Sequence, residues 1–280
     1  MKIIECPRDA MQGIETFIPT EKKVAYLNQL LTVGFDTLDF GSFVSPKAIP
    51  QMKDTADVVP QLDLSNSKTK LLAIVANLRG AQEAAQFQQI SYLGFPLSIS
   101  ETFQQRNTNK SIAEALNTLE EIQNECKKAG KTLVTYISMG FGNPYNDPYD
   151  ESVVTQFAGI LSAMEVSIIS LADTIGVSHP DQITGLFKQV TSSFPEIEFG
   201  VHLHSRPDAA IEKIEAAHKA GCKRFDGALK GFGGCPMAKD ELVGNIPTEA
   251  VIRYLSGKGE SLPISQQQLD KSLMMAAEIF

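Results

Sequence analysis

The sequence has little cysteine and no long apolar run. Its four cysteines, Cys6, Cys126, Cys222 and Cys235, are scattered over 280 residues, without the close pairs of a structural zinc site or the density of a disulfide-rich secreted domain. The opening residues, MKIIECPRDA, show no signal-peptide or transit-peptide pattern, and no stretch approaches the roughly 18 consecutive apolar residues of a membrane span. These absences predict a cytoplasmic protein without a membrane partner.

The charge balance argues against a nucleic-acid partner. The formal net charge is −8, whereas binding to a phosphate backbone requires a basic face. The hydrophobic content of 43% is enough for a substantial core in a chain of this length. We therefore expect an ordered protein that acts on a small molecule, with residues 1–280 forming a single catalytic domain.

Strand-like runs alternate with amphipathic helical stretches along the whole chain. Eight such runs can be recognised: KIIEC from residue 2, TLDFGSF from 37, KLLAIVA from 70, YLGFPLSI from 92, TLVTYISM from 132, SIISLAD from 167, EFGVHLH from 198 and KRFDGAL from 223. Eight βα units in a chain of this length predict an α/β fold of the (β/α)8 or TIM-barrel type, in which the chemistry lies at the C-terminal ends of the strands. An open, doubly wound sheet is the alternative.

Helical periodicity fills the intervals between these strands. Apolar residues recur three and four positions apart in five segments, which begin near residues 21, 111, 150, 181 and 208. Glycines typical of helix C-termini follow three of them, at Gly34, Gly130 and Gly221. The final segment, ISQQQLDKSLMMAAEIF, predicts an additional C-terminal helix outside the barrel.

Polar residues cluster where the predicted strands end. The segment GVHLHS is the most informative, because His202 and His204 are two residues apart on one strand and face the same side. With carboxylates from neighbouring strands, two such histidines can bind a divalent cation, although two hydrogen-bonded histidines in a polar rim would have the same pattern. The other polar residues at strand ends are Glu5, Arg8, Asp9, Asp39, Ser42, Ser170 and Asp173.

A glycine-rich segment near the C-terminus, FGGCPMAKDELVGN, carries one cysteine. Glycines at this density predict a mobile loop. A thiol in such a loop can be a nucleophile, a metal ligand, a proton carrier or a packing residue, and the loop alone does not distinguish these roles.

Together these segments resemble the 3-hydroxy-3-methylglutaryl-CoA lyase family of metal-dependent lyase and aldolase barrels. The resemblance is carried by five segments that span residues 3–249: IIECPRDAMQ, DFGSFVSPKAIPQM, ISLADTIGVSHP, GVHLHS and GFGGCPMAKDELVGNIPTE. The Arg-Asp and His-x-His elements are common to a wider superfamily, whereas SFVSPK together with GGCP and the following GN is specific to the lyase branch.

The resemblance implies an activity and a set of site residues. The expected reaction is cleavage of 3-hydroxy-3-methylglutaryl-CoA, or a close 3-hydroxyacyl-CoA, to acetyl-CoA and acetoacetate. Mg²⁺ or Mn²⁺ is the implied cofactor, an acyl-CoA the implied substrate and a homodimer or higher homo-oligomer the expected assembly. The implied metal ligands are Asp9, His202, His204 and Asn245, and the implied catalytic residues are Arg8, Asp173, His202 and Cys235, with Cys235 carried over the site by its loop. The implied supporting residues are Glu5, Gln12, Asp39, Ser42, Tyr145, Ser170 and Glu249.

The chain departs from the family pattern at a few positions, and two other functions remain open. Ala10 stands where the family usually has Gly, Asp39 where it has Glu, and Ser205 where it has Asp. One alternative is a Claisen-type synthase or aldolase of the same superfamily, which condenses acetyl-CoA with a 2-oxo acid. The other is a barrel that binds an acyl-CoA or a metal without turnover. Assays with 3-hydroxyacyl-CoA thioesters, with and without metal, distinguish these alternatives.

Overall fold

Eight short strands, buried over most of their length, form the centre of the fold in the computed structural model, which describes residues 1–234 and 243–280. They are β1 (Lys2–Glu5), β2 (Thr37–Ser42), β3 (Lys70–Ile74), β4 (Ile90–Ser98), β5 (Thr132–Ser138), β6 (Ile168–Asp173), β7 (Glu198–Ser205) and β8 (Arg224–Gly227). Each pairs in parallel with its neighbours along the chain, and β8 pairs with β1 to close the sheet. The predicted (β/α)8 barrel is confirmed, and its closure excludes an open, doubly wound sheet.

Helices surround this barrel. They are α1 (Pro7–Gln12), α2 (Thr20–Leu31), α3 (Thr55–Val58), α4 (Leu78–Ala85), α5 (Glu101–Thr108), α6 (Ile112–Ala129), α7 (Glu151–Ala163), α8 (Pro180–Ser193), α9 (Ala210–Lys219), α10 (Thr248–Gly257) and α11 (Gln266–Ile279). The periodicity predicted α2, α6, α7, α8, α9 and the C-terminal α11. The other five were not predicted. None of the described helices is both long and apolar enough to cross a membrane.

Local chemistry explains where the longest helix begins and ends. The Ser111 hydroxyl accepts a hydrogen bond from the Glu114 backbone, and the Glu114 carboxylate accepts one from the Ser111 backbone, so α6 starts in a capping box. Gly130 follows α6 with φ of 65°, the left-handed conformation that glycine adopts without strain.

The apolar core has two parts, because successive strand residues face opposite sides of the sheet. The larger part lies between the strands and the helices. A smaller cluster fills the barrel interior and comprises Leu72, Ile74, Tyr92, Val134, Tyr136 and Ile168. Towards the C-terminal strand ends the interior becomes polar.

Two elements extend the barrel near those ends. A short strand, β9 (Gly244–Asn245), pairs antiparallel with the end of β7 and places Asn245 opposite His204. Helix α11 packs on α2. The Phe280 ring that follows α11 stacks on Phe232, with 4.9 Å between the ring centroids, so the C-terminal segment contacts the start of the glycine-rich loop.

Candidate active site

Three side chains converge at the C-terminal ends of β1 and β7. Asp9 lies in α1, immediately after β1, while His202 and His204 project into the barrel from β7. One oxygen of Asp9 and one nitrogen of each histidine all lie within 4.8 Å of one another. Oxygen and imidazole nitrogen ligands in this arrangement suit a divalent cation.

The histidines are oriented by partners on their far sides. His204 Nδ1 lies 3.0 Å from the backbone carbonyl oxygen of Thr174, and His202 Nδ1 lies 3.3 Å from Asp226 Oδ2. Because a carbonyl and a carboxylate accept hydrogen bonds, both Nδ1 atoms are donors, and in the neutral rings both Nε2 atoms are acceptors. These Nε2 atoms face each other at 3.2 Å. Two lone pairs at this distance repel unless a cation or a proton lies between them, so the donor set fits a bound metal ion.

Asn245 completes this group from β9. Its Nδ2 donates to Asp9 Oδ2 at 2.7 Å and to the Phe232 carbonyl oxygen at 3.0 Å. Both partners are acceptors, which fixes the orientation of the amide. Its Oδ1 therefore remains available as a fourth protein ligand.

The electrostatics keep Asp9 and His204 in their metal-binding forms, whereas at His202 they favour the protonated ring. Burial by itself would raise the pKa of Asp9, but Arg8, the two histidines and the Asn245 amide together lower it to about 2. Burial and the neighbouring His202 lower the pKa of His204 to about 4. Burial opposes a charge on His202 as well, but Asp226 raises the pKa of His202 overall. A cation at His202 would therefore compete with a proton for the ring nitrogen.

Arg8 lies beside the group and is held rigidly. Its Nε and Nη2 donate to Asp39 Oδ2 at 3.1 and 2.5 Å, and its Nη1 donates to Asp9 Oδ1 and Gln12 Oε1, each at 2.9 Å. Burial alone would lower the pKa of Arg8, but the carboxylates of Asp39 and Asp9 raise it, so the guanidinium stays charged. Of its five N–H donors, one on Nη2 is left without a partner among the described residues. The cavity wall formed by Arg8 thus presents a fixed positive charge with one free donor.

A cavity of about 460 Å³ opens beside these residues. Arg8, Asp9, Gln12, His202 and His204 line its polar end. Its remaining wall is mostly apolar and includes Val44, Ile49, Ile74, Pro96, Phe103 and Ala172, with Arg106 and Asn107 also lining it. This volume and this mixture of surfaces suit a small organic ligand with one polar reacting end.

Sequence comparison identifies the family. The HMGL-like family matches residues 2–279. The chain belongs to the HMGL-like family. It is 33% identical over 272 residues to the hydroxymethylglutaryl-CoA lyase of Bacillus subtilis, an alignment that covers 97% of this chain and 89% of that enzyme. It is 32% identical to the cytoplasmic 3-hydroxy-3-methylglutaryl-CoA lyase of Rattus norvegicus, over 92% of this chain and 75% of that enzyme.

Solved structures give the same result. The HMG-CoA lyase of Bacillus subtilis superimposes with a TM-score of 0.93 and 31% identity, covering 99% of this chain and 92% of that one. The HMG-CoA lyase of Acinetobacter baumannii, solved with coenzyme A and 3-methylmalate, superimposes with a TM-score of 0.91 and 29% identity. This match covers 99% of this chain and 90% of that one. The predicted family is confirmed.

The predicted catalytic Cys235 lies outside the described residues, in the range 235–242. The preceding residues are described. Gly233 has φ of 87°, and a Cβ on it would lie 2.8 Å from the Ala10 Cα and 2.9 Å from Asn245 Nδ2. Only glycine permits this approach. The start of the loop therefore lies directly against α1 and the proposed metal ligand Asn245. The missing side chain of Gly233 allows this contact, although Ala10 carries a methyl group.

Several predicted site residues lie apart from the metal group. Asp173 accepts hydrogen bonds from the Val177 and Ser178 backbones, from the Ser178 hydroxyl and from Lys213. These contacts favour a structural role over proton transfer. The buried Glu5 carboxylate accepts from the Leu229 backbone at 2.9 Å and contacts the Thr248 hydroxyl at 2.5 Å.

The remaining predicted residues are more peripheral. Glu249 accepts a hydrogen bond from the Lys230 backbone at 3.0 Å. The Ser42 hydroxyl accepts from the backbone of Val44, a cavity residue. Tyr145 stacks on Phe103 at the cavity edge. Ser170 is fully buried, and its hydroxyl has no hydrogen-bond partner among the described residues.

Asp226 was not predicted as a site residue. It lies in β8 with its side chain fully buried, beside His202. An aspartate in the middle of the strand segment KRFDGAL is unusual for a buried position, and this was the available signal. The backbone carbonyl of Thr174, which orients His204, has no sequence signal.

Proposed function

We propose that this protein is a metal-dependent carbon–carbon lyase that cleaves 3-hydroxy-3-methylglutaryl-CoA to acetyl-CoA and acetoacetate. The observation that carries this proposal is the joint presence of Asp9, His202 and His204 beside Arg8 in one cavity of an HMGL-like barrel. Its named relatives are hydroxymethylglutaryl-CoA lyases.

Asp9, His202, His204 and Asn245 would hold the cation, for which we propose Mg²⁺ or Mn²⁺. When bound, such an ion polarises substrate oxygens and lowers the pKa of a hydroxyl group. Around it, Asp226 and Thr174 hold the two imidazole rings, while Arg8 and Asn245 hold the Asp9 carboxylate through its two oxygens. These hydrogen bonds within the protein fix the orientation of three of the proposed ligands.

The reaction requires two proton transfers. The C3 hydroxyl loses its proton, the C2–C3 bond breaks, and its electron pair passes to the acetyl-CoA fragment as an enolate, which is then protonated at C2. We propose that the free Nη2–H of Arg8 faces the thioester oxygen, where negative charge develops. Because Asp39 holds the guanidinium on its other edge, little reorganisation is needed during the reaction.

We propose that the C3 hydroxyl releases its proton to water, because a cation held by His202 and the other proposed ligands would lower the pKa of that hydroxyl, and that Cys235 donates the proton to C2. His202 lines the cavity and would take part as a ligand, since Asp226 behind it accepts the Nδ1–H hydrogen bond and leaves Nε2 for the cation. Cys235 follows the segment in which Gly233 contacts α1. A thiol with an ordinary pKa near 8.5 can exchange protons at neutral pH.

The cavity supports an acyl-CoA substrate. Its volume of about 460 Å³ accommodates the acyl group, and Arg106, which is exposed at the rim, provides positive charge for an anionic ligand. The related Acinetobacter baumannii enzyme was solved with coenzyme A.

The decisive experiment incubates the purified protein with 3-hydroxy-3-methylglutaryl-CoA and measures acetoacetate and acetyl-CoA. Protein from which metal has been removed with a chelator should be inactive, and added Mg²⁺ or Mn²⁺ should restore activity. A parallel reaction with acetyl-CoA and 2-oxo acids tests for a Claisen-type synthase, by release of free coenzyme A. Product formation only in this second reaction would favour the synthase. Binding of acyl-CoA or metal without product in either reaction would favour the non-catalytic alternative.

We further propose that residues 1–280 act as one catalytic domain in the cytoplasm and assemble as a homodimer or higher homo-oligomer. The three described free cysteines, all buried, are compatible with a reducing compartment. Among the described residues, large apolar side chains exposed at the surface include Ile211 and Met274, which can support self-association. Light scattering coupled to size-exclusion chromatography measures the assembly directly.

A further inference from the structure

A buried lysine joins the ends of the two strands next to the proposed metal site. Lys213, on α9, is 3% exposed. Its Nζ donates to Asp173 Oδ2 at 2.8 Å, to the Gly176 carbonyl oxygen at 3.0 Å and to the His204 carbonyl oxygen at 3.0 Å. The three hydrogens of the ammonium group are therefore all used, and they connect the end of β6, the following turn and the end of β7.

Two of these contacts lie at or beside the backbone groups around His204. One of them holds the backbone carbonyl of His204 itself. Another holds Asp173, the residue before Thr174, and it is the Thr174 carbonyl oxygen that accepts a hydrogen bond from His204 Nδ1. Lys213 thus acts on both backbone positions that orient this imidazole.

The same aspartate shapes the turn after β6. Asp173 Oδ1 accepts a hydrogen bond from the Val177 backbone, and its Oδ2 accepts from the backbone and hydroxyl of Ser178. The residue after His204 offers no comparable support, because the Ser205 hydroxyl donates to the Arg206 carbonyl oxygen. The ammonium group of Lys213 therefore adds a second side-chain link between the two strand ends, beside the bond from His204 Nδ1 to the Thr174 carbonyl oxygen.

From this geometry we infer that Lys213 is a positioning residue for metal binding: its pair with Asp173 holds His204 in the orientation that the cation requires. The inference rests on the proposed metal site. A buried ion pair is on balance a weak stabiliser, since desolvation of both charges offsets their attraction. Three directed hydrogen bonds, by contrast, fix the relative position of two loops, which an apolar side chain of similar volume would not do.

The chain offers a matched control. Lys23, on α2, is also 3% exposed, and its Nζ pairs with Asp54 at 2.7 Å and donates to a backbone carbonyl oxygen, that of Gln51. The pair lies between α2 and the segment around α3, and neither residue lines the cavity. Lys23→Met and Lys213→Met therefore remove the same kind of buried charge, and only Lys213→Met acts on a proposed metal ligand.

The experiment titrates metal-free protein with Mn²⁺, measures free Mn²⁺ by electron paramagnetic resonance, and uses no substrate. Thermal unfolding of each metal-free variant is measured in parallel. Both variants should unfold at lower temperature than the wild type. Lys213→Met should weaken Mn²⁺ binding by about 10- to 100-fold, as expected for loss of a group that orients a metal ligand, whereas Lys23→Met should change it by less than about 2-fold.

If Lys213→Met does not fold, the same titration is made on Asp173→Asn/Lys213→Met, which leaves no buried charge unpaired. This double variant should also bind Mn²⁺ at least about 10-fold more weakly, because the His204 and Gly176 carbonyl oxygens lose their common donor. An affinity within about 2-fold of the wild type in the folded Lys213 variant, or an equal loss in Lys23→Met, would overturn the inference. Wild-type protein that does not bind Mn²⁺ would overturn the proposed metal site and this inference with it.

Discussion

Replacing Glu5 by glutamine should stabilise the protein at neutral and alkaline pH. Glu5 is 1% exposed, and burial raises the pKa of its carboxyl group from 4.5 to about 8, against the opposing hydrogen bonds from Thr248 and Leu229. At pH 7 the native protein therefore keeps Glu5 mainly protonated, whereas the unfolded chain ionises it. Glutamine has nearly the shape of the protonated acid and retains an oxygen that can accept the Leu229 hydrogen bond.

The magnitude follows from the two pKa values. The stability contributed by protonated Glu5 is fully present below pH 4.5 and is lost as the pH rises through about 8. Over that interval the loss is about 1.4 kcal/mol per pH unit, or about 5 kcal/mol in all. Glu5→Gln removes this loss. The variant should thus match the wild type to within about 1 kcal/mol at pH 4.5, the typical worth of one altered hydrogen bond, and exceed it by about 3 kcal/mol at pH 7.

Urea unfolding of both proteins between pH 4.5 and 9 measures this difference. The informative quantity is the difference in unfolding free energy at each pH, because titration of all other groups cancels in it. Glu249→Gln is the control, since it makes the same chemical change on the neighbouring carboxylate, which is only partly buried, and its stability should follow the wild type much more closely. A difference between Glu5→Gln and the wild type that stays constant across this range would refute the reasoning.

Three further substitutions test the proposed site. His204→Ala should abolish Mn²⁺ binding and turnover together, and unchanged metal content would contradict its assignment as a ligand. Arg8→Gln should lower kcat by about 10²-fold or more, and a change confined to KM would instead indicate a role in substrate binding. The same variant should destabilise the fold by about 3–5 kcal/mol, because the buried Asp39 loses its partner. Cys235→Ala should still bind metal and acyl-CoA but lose about 10²- to 10⁴-fold in turnover, and Cys235→Ser should recover little of it. Near-normal turnover in Cys235→Ala would remove the thiol from the mechanism.

The sequence alone determined the barrel and the shared face of two proposed metal ligands. Short strand-like runs that alternate with runs of helical period are local features, and all eight predicted strands are present. The i, i+2 spacing of His202 and His204 places both rings on one face of β7 wherever that strand lies. The short helices α1, α3, α4 and α5 escaped prediction because segments of 4–8 residues carry too little periodicity.

Only the tertiary structure decided what each polar side chain contacts. Glu5, Asp173 and Asp226 are all acidic residues in or at the end of a strand, and nothing local distinguishes them. In the folded chain Asp226 orients His202, a proposed metal ligand, Asp173 pairs with Lys213 from 40 residues away, and Glu5 holds the segment before the glycine-rich loop. These partners come from distant parts of the chain. Neighbouring βα units bring Asp226 to His202 and Asp173 to Lys213, and the closure of β8 on β1 brings Glu5 to Leu229. A buried charge acquires its role from the group that compensates it, and that group is set by the packing of the whole fold.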